Sequence, residues 1–151
     1  MNVDAHIDLA DAAATVAAGA RLAPHLRGGG VVFLSGDLGA GKTTLVRAVL
    51  HALGHEGAVR SPTYAIVEPY ELDGLEIFHL DLYRIGDASE LDYLGLRDWL
   101  RPGVLLLVEW PERGATALPP PDLHLHLEHA GNGRRLHACG DAAVVAALTG
   151  S

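Results

Sequence analysis

The chain is nearly empty of lysine. Of its 11 basic side chains in 151 residues, ten are arginine and the remaining one is Lys42. Where a generic cation suffices this sequence uses arginine, so Lys42 marks a place that needs a slim ammonium on a flexible stem. Positive charge is scarce overall: 19 acids leave a net charge of -8 with His neutral. Proteins that hold nucleic acid by neutralising its phosphates usually run basic. A stand-alone DNA or RNA binder is therefore a poor fit, and no DNA partner is expected. Cysteine is reduced to Cys139, which excludes an internal disulfide and suits a reducing cytoplasm. Its place in an apolar strand predicts a packing role. No run approaches the ~18 consecutive apolar residues of a membrane span. The first eleven residues carry acids but no Lys or Arg, unlike the basic start of a signal peptide. A cytoplasmic protein with no membrane partner is the expectation.

What is present describes an ordered α/β chain. Hydrophobic residues make up 49% and charged residues 20%, enough to bury a core. Asp8 can cap a helix running to about Leu26, and Gly28-Gly29-Gly30 stops it. Val31 to Leu34 reads as a buried strand, and Thr43 to Leu53 as a helix with Leu45, Val46, Val49, Leu50 and Leu53 on one stripe. Two strands, Tyr64 to Leu72 and Leu75 to Tyr83, flank the hairpin signal Asp73-Gly74. Asp87-Ala88-Ser89-Glu90 resembles a capping box that opens a short helical region. Val104 to Trp110 is a further buried strand. After Pro119-Pro120-Pro121, residues 123–128 and 134–138 alternate like a surface hairpin, and Asp141 to Leu148 closes as a helix. The expectation is one domain over residues 1–151, with a mixed sheet (parallel core plus antiparallel hairpins) flanked by helices.

The chemistry concentrates in Gly36-Asp37-Leu38-Gly39-Ala40-Gly41-Lys42-Thr43, which fits G-x-x-x-x-G-K-[ST] at every fixed position. Glycines let the backbone curl until successive N–H groups point at phosphate oxygens. The helix that follows offers its positive N-terminus to the same anion. Lys42 is then placed to reach β- and γ-phosphates, and the Thr43 hydroxyl to ligate Mg²⁺. A strand before the loop and a helix after it supply the context this P-loop motif requires.

Such a loop needs an acid near the metal, usually after an apolar strand. Val104-Leu105-Leu106-Leu107-Val108-Glu109 offers one, and Ile77-Phe78-His79-Leu80-Asp81 another. Each acid alone is as readily a solvated turn residue. Glu109 can ligate the metal directly, act through water, or orient an attacking water. Spacing does not divide these roles between Glu109 and Asp81. Ser61-Pro62-Thr63 reads by pattern as a turn, although a Thr in this region of P-loop hydrolases can order a switch loop. His124, His126 and Glu128 share one strand face. An exposed polar face accounts for them better than zinc, because no further spacing completes a site. Trp99 reads as core, while Trp110 beside Glu109 suits either core or site.

The P-loop through Thr44, then Ser61-Pro62-Thr63-Tyr64, then His79-Leu80-Asp81-Leu82-Tyr83-Arg84, then Val108-Glu109-Trp110-Pro111-Glu112-Arg113 together resemble the TsaE (YjeE) family. The resemblance spans nearly the whole chain and implies a small P-loop NTPase that binds ATP and Mg²⁺. It implies a role in forming N6-threonylcarbamoyladenosine beside the anticodon of tRNA, with TsaD and TsaB as partners. ATP hydrolysis would then reset the transferase complex, without transfer of the threonylcarbamoyl group, and tRNA would be met through that complex. By the same resemblance Lys42, Asp81 and Glu109 are catalytic. Thr43, Glu109 and Asp81 serve the metal. Asp37, Leu38, Gly39, Ala40, Gly41, Lys42, Thr43, Thr44, Thr63, Trp110 and Arg134 approach the nucleotide.

Three other functions share parts of this pattern. A GTPase usually reads guanine with Asn-Lys-x-Asp, and the only lysine already sits in the P-loop. A P-loop kinase usually adds an arginine-bearing helical lid, whereas the chain after Glu109 is short and Pro-rich. A nucleotide-gated interaction module with negligible turnover would use ATP to order residues 61–64 for a partner.

Overall fold

The structure is a computed structural model that describes residues 2–37, 39–59 and 66–150. Its described strands are β1 (Asn2–Leu9), β2 (Gly30–Gly36), β3 (Val67–Leu72), β4 (Leu75–Asp81), β5 (Val104–Glu109), β6 (Leu123–Ala130) and β7 (Gly133–Asp141). They form one seven-stranded sheet in the order β1-β7-β6-β2-β5-β4-β3. The β2–β5, β2–β6 and β4–β5 pairs are parallel. The β1–β7, β6–β7 and β3–β4 pairs are antiparallel. This is the expected mixed sheet. Helices α1 (Ala12–Leu22), α2 (Lys42–Ala52) and α5 (Ala142–Thr149) pack with its larger apolar cluster. Helices α3 (Ser89–Leu94) and α4 (Leu96–Trp99) belong to the smaller one, with Phe78, Leu80 and Leu106.

Local rules account for most elements. Asp73 and Gly74 turn at φ 50° and 80°, which suits a two-residue hairpin between β3 and β4. Asp87 Oδ1 accepts the Ser89 N–H at 2.9 Å, and Glu90 Oε1 accepts the Gly86 N–H at 3.3 Å. These bonds tie down the turn before α3 but are not the anticipated capping box, since Ala88 takes the N-cap position and no side chain caps the helix there. Asp141 caps α5 by accepting from Ala143 N. Helices α1 and α2 meet so closely at Gly19 that a Cβ there would stand 2.6 Å from Ala48 Cβ.

Three expectations are corrected. Asp8 caps no helix: it lies in β1, and Asp11 caps α1 by accepting from Ala14 N at 2.9 Å. Val3, Ala5, Ile7 and Leu9 alternate with polar residues, the period of a strand, and their partner β7 lies far along the chain. The pair β6–β7 is no mere surface hairpin. β6 pairs with β2 in mid-sheet, and Leu123, Leu125 and Leu127 are buried. Cys139 is exposed because Leu136, Ala138 and Gly140 take the inward register of β7. On the same outer side His126 is exposed and His124 half-buried, and Ser35 Oγ lies 2.8 Å from a ring nitrogen of each. Trp99 is half-buried and stacks on Phe78 with ring centroids 4.7 Å apart.

Candidate nucleotide site

Parallel pairing brings the chemistry to one edge. β2 runs into the glycine loop, while β5 and β4 end on Glu109 and Asp81. Glu109 pairs with Leu34 on one side and Asp81 on the other. All three strand ends therefore open on the same crevice, where parallel α/β sheets bind ligands. Trp110 fixes the turn beyond β5: its N–H donates to Leu34 O at 3.1 Å, and its backbone is left-handed at φ 58°. Gly39 and Gly41 also take positive φ, at 76° and 103°, and a Cβ on either would meet nothing within 4 Å. The backbone conformation, not crowding, demands glycine at these two positions.

The cleft holds about 320 Å³ and is lined by Gly39, Gly41, Lys42, Thr43, Asp81 and Glu109 among others. Lys42 is 4% exposed. Its ammonium donates to Gly36 O at 2.9 Å and Asp37 O at 2.8 Å, and lies 4.3 Å from the centre of the Trp110 ring. Burial lowers its pKa, opposed by the carboxylates of Glu109, Glu112, Asp81 and Asp37. The Thr43 hydroxyl donates to Glu109 Oε1 at 3.1 Å and reaches Oε2 at 3.3 Å. His79, fully buried, places Nε2 2.6 Å from Glu109 Oε2. Burial raises the pKa of Asp81. The Tyr83 N–H bond to its carboxylate opposes this, Glu109 adds to it, and His79 and Lys42 oppose it. Tyr83 stands 4.9 Å from Trp110 as an aromatic wall, with the Arg113 guanidinium 4.9 Å from the Tyr83 ring centre.

A second, smaller cleft of about 150 Å³ shares Gly39, Gly41 and Thr44 with the first and is lined by Asp11, Thr15, Asn132 and Arg134. Arg134 donates to Gly39 O at 3.4 Å, so the final hairpin does bring this arginine to the loop. Lys42, Thr43, Thr44, Asp81, Glu109 and Trp110 thus share one cleft, with Arg134 beside it. Asp37 contributes its carbonyl to Lys42, and Ala40 is buried beneath the loop. Leu38 and Thr63 lie outside the described residues.

His79, Tyr83, Asp11 and Asn132 carry no role that the sequence pattern alone assigns. For His79 a signal existed: it lies in an apolar strand two residues before Asp81, on the same face. Asp11 and Asn132 gave no such signal, because only the return of β7 beside β1 brings them near the loop.

The donor set fits a hard divalent cation: a hydroxyl and carboxylate oxygens with no sulfur. Among the described residues no three His, Cys, Asp or Glu side chains are grouped to hold a metal. Mg²⁺ is usually held by one or two protein oxygens together with substrate phosphates and water, and Thr43 Oγ1 and the Glu109 carboxylate are two such groups in contact.

Comparison with known proteins agrees with this geometry. The family described as "Threonylcarbamoyl adenosine biosynthesis protein TsaE" matches residues 9–136. The tRNA threonylcarbamoyladenosine biosynthesis protein TsaE of Haemophilus influenzae is 44% identical over 106 residues, 70% of this chain and 67% of that one. The protein of the same name from Streptomyces coelicolor is 44% identical over 115 residues, covering 74% and 77%. The crystal structure of Bacillus subtilis YdiB superposes with a TM-score of 0.77 at 29% identity, covering 98% of this chain and 93% of that one. A glycine loop at a parallel strand end, acids on the two strands beside it and these likenesses lead to one conclusion: the chain belongs to the TsaE family, P-loop nucleotide-binding proteins of tRNA threonylcarbamoyladenosine biosynthesis.

Proposed function

We propose that this protein is a Mg²⁺-dependent ATPase. It acts in the cytoplasm with TsaD and TsaB, and meets tRNA through that complex. One observation carries the reading: Lys42, Thr43, Asp81 and Glu109 line a single cleft at the loop's open side. The loop from Gly39 to Thr43 holds the phosphates, and the adjoining cleft by Asp11, Asn132 and Arg134 takes the adenosine. Thr43 and Glu109 ligate the metal.

Water attacks the γ-phosphorus, the bond to the β,γ-bridging oxygen breaks, and ADP and phosphate leave with the water's proton on phosphate. Mg²⁺ supplies neutralisation of charge on the phosphate oxygens. The loop amides and the Lys42 ammonium stabilise the transferring phosphoryl group. Asp81 supports the metal's water shell or the attacking water. Among the described residues, the segment between β5 and β6 forms no α-helix that would serve as a kinase lid. The proposed consequence of turnover is release of the TsaD–TsaB complex for another round of tRNA modification.

The test is incubation with γ-labelled ATP and Mg²⁺, alone and with TsaD, TsaB and tRNA. Label is expected as inorganic phosphate, faster with the partners. Label on an acceptor would make the protein a kinase. No hydrolysis in any mixture would leave a nucleotide-gated binding module.

A further inference from the structure

His79 has no part in phosphate binding, yet it occupies the most protected polar position beside the cleft. It is 0% exposed, and its Nδ1 has no hydrogen-bond partner among the described residues. An unpartnered buried nitrogen weakens a fold, and a leucine would fill a space on the sheet face of Ile77 and Leu107 without that defect. What a leucine would lack is the 2.6 Å bond from Nε2 to Glu109 Oε2.

Glu109 needs such a partner. It is 2% exposed, and it pairs across the strands with a second acid, Asp81. Like charges directly opposite one another repel. Lys42 attracts it through space, but the ammonium bonds to Gly36 O and Asp37 O and so does not fix the orientation of the carboxylate. His79 sits one pleat deeper in β4 than Asp81 and holds Oε2 there, while Oε1 stays 3.1 Å from the Thr43 hydroxyl. We propose that His79 is a positioning residue: it fixes the Glu109 carboxylate so that Oε1 and Thr43 Oγ1 stand as a preset pair of oxygens for the divalent cation.

This rests on the Mg²⁺-nucleotide reading of the cleft, and calorimetry can separate the two. A non-hydrolysable ATP analogue is titrated into the full chain in EDTA and in Mg²⁺. For the wild type, Mg²⁺ should tighten binding. His79→Leu should bind as the wild type does in EDTA but lose 10- to 100-fold of the Mg²⁺-dependent gain, the usual effect of removing a residue that orients a metal ligand. His79→Gln carries an amide N–H at the reach of Nε2 and should recover to within about 3-fold. His79→Asn carries it one bond short and should behave like His79→Leu. The proposal fails if His79→Leu keeps the full Mg²⁺ gain. It also fails if affinity falls equally in EDTA and Mg²⁺, or if Gln and Asn behave alike. If the wild type binds the analogue in EDTA with no Mg²⁺ gain, the metal reading itself falls, and this proposal with it.

Discussion

Replacing Gly36 with alanine tests why the loop opens with glycine. Gly36 has φ +125°, and a Cβ there would be driven into the backbone of Leu127, its carbonyl oxygen above all. That oxygen also accepts the Asp37 N–H at 3.3 Å. A backbone held in a sparsely populated region costs about 1–3 kcal/mol. Relieving the clash means parting β2 from β6, and a lost backbone hydrogen bond adds about 0.5–1.5 kcal/mol. Together Gly36→Ala should lose about 2–4 kcal/mol. At about 2–4 °C per kcal/mol for a chain of this length, the melting temperature should fall by roughly 5–15 °C. Gly39→Ala is the control. Its φ is +76° with open space around a Cβ, so only the left-handed cost of about 1–2 kcal/mol applies. Its defect should appear instead as weakened nucleotide binding in a folded protein. Thermal melts and analogue titrations on both variants read the contrast. A Gly36→Ala protein melting within about 2 °C of wild type would refute the reasoning, as would one more stable than Gly39→Ala.

Lys42→Ala should abolish nucleotide binding or turnover, read by titration and phosphate release; normal turnover would remove the P-loop role. Glu109→Gln should cut turnover by about 100-fold, because it weakens the hold on the cation that neutralises phosphate charge. Nucleotide should perturb the emission of Trp110, whose ring lies 4.3 Å from the Lys42 ammonium; the response should persist in Trp99→Phe and vanish in Trp110→Phe. Burial, followed by the charge of His126, lowers the pKa of His124, with Glu112 opposing and His137 adding. The unfolded chain therefore takes up this proton first, and its contribution to stability, complete above the ordinary value of 6.5, is lost as pH falls through the lowered value. Melts between pH 7.5 and 5 should fall less steeply for His124→Gln than for the wild type; equal slopes would refute this.

What the sequence made legible was local. The glycine loop, the Asp73-Gly74 turn and the two acids ending apolar strands each declare themselves within a few residues. Their meeting depends on strand order: β5 lies between β2 and β4, which brings Glu109 beside both Leu34 and Asp81. The hydrophobic pattern of any one strand does not encode that order. β1 is hard to read from sequence because its partner is the last strand, so its alternation has no nearby hairpin to support it. β6 reads as half of a surface hairpin because its alternation with β7 is visible in sequence, while its parallel pairing with β2 is not. The His79–Glu109 bond joins residues thirty apart, and the sheet register alone makes them diagonal neighbours.

If nucleotide turnover in this cleft resets a tRNA-modifying complex, repeated rounds of modification should require phosphate release. The most direct measurement counts threonylcarbamoyladenosine formed per TsaD–TsaB complex, with phosphate release in the same tubes, for wild type and Glu109→Gln. Repeated rounds are expected with wild type. With Glu109→Gln a single round is expected, which stalls while phosphate release is lost. Sustained modification by Glu109→Gln without phosphate release would contradict the resetting role.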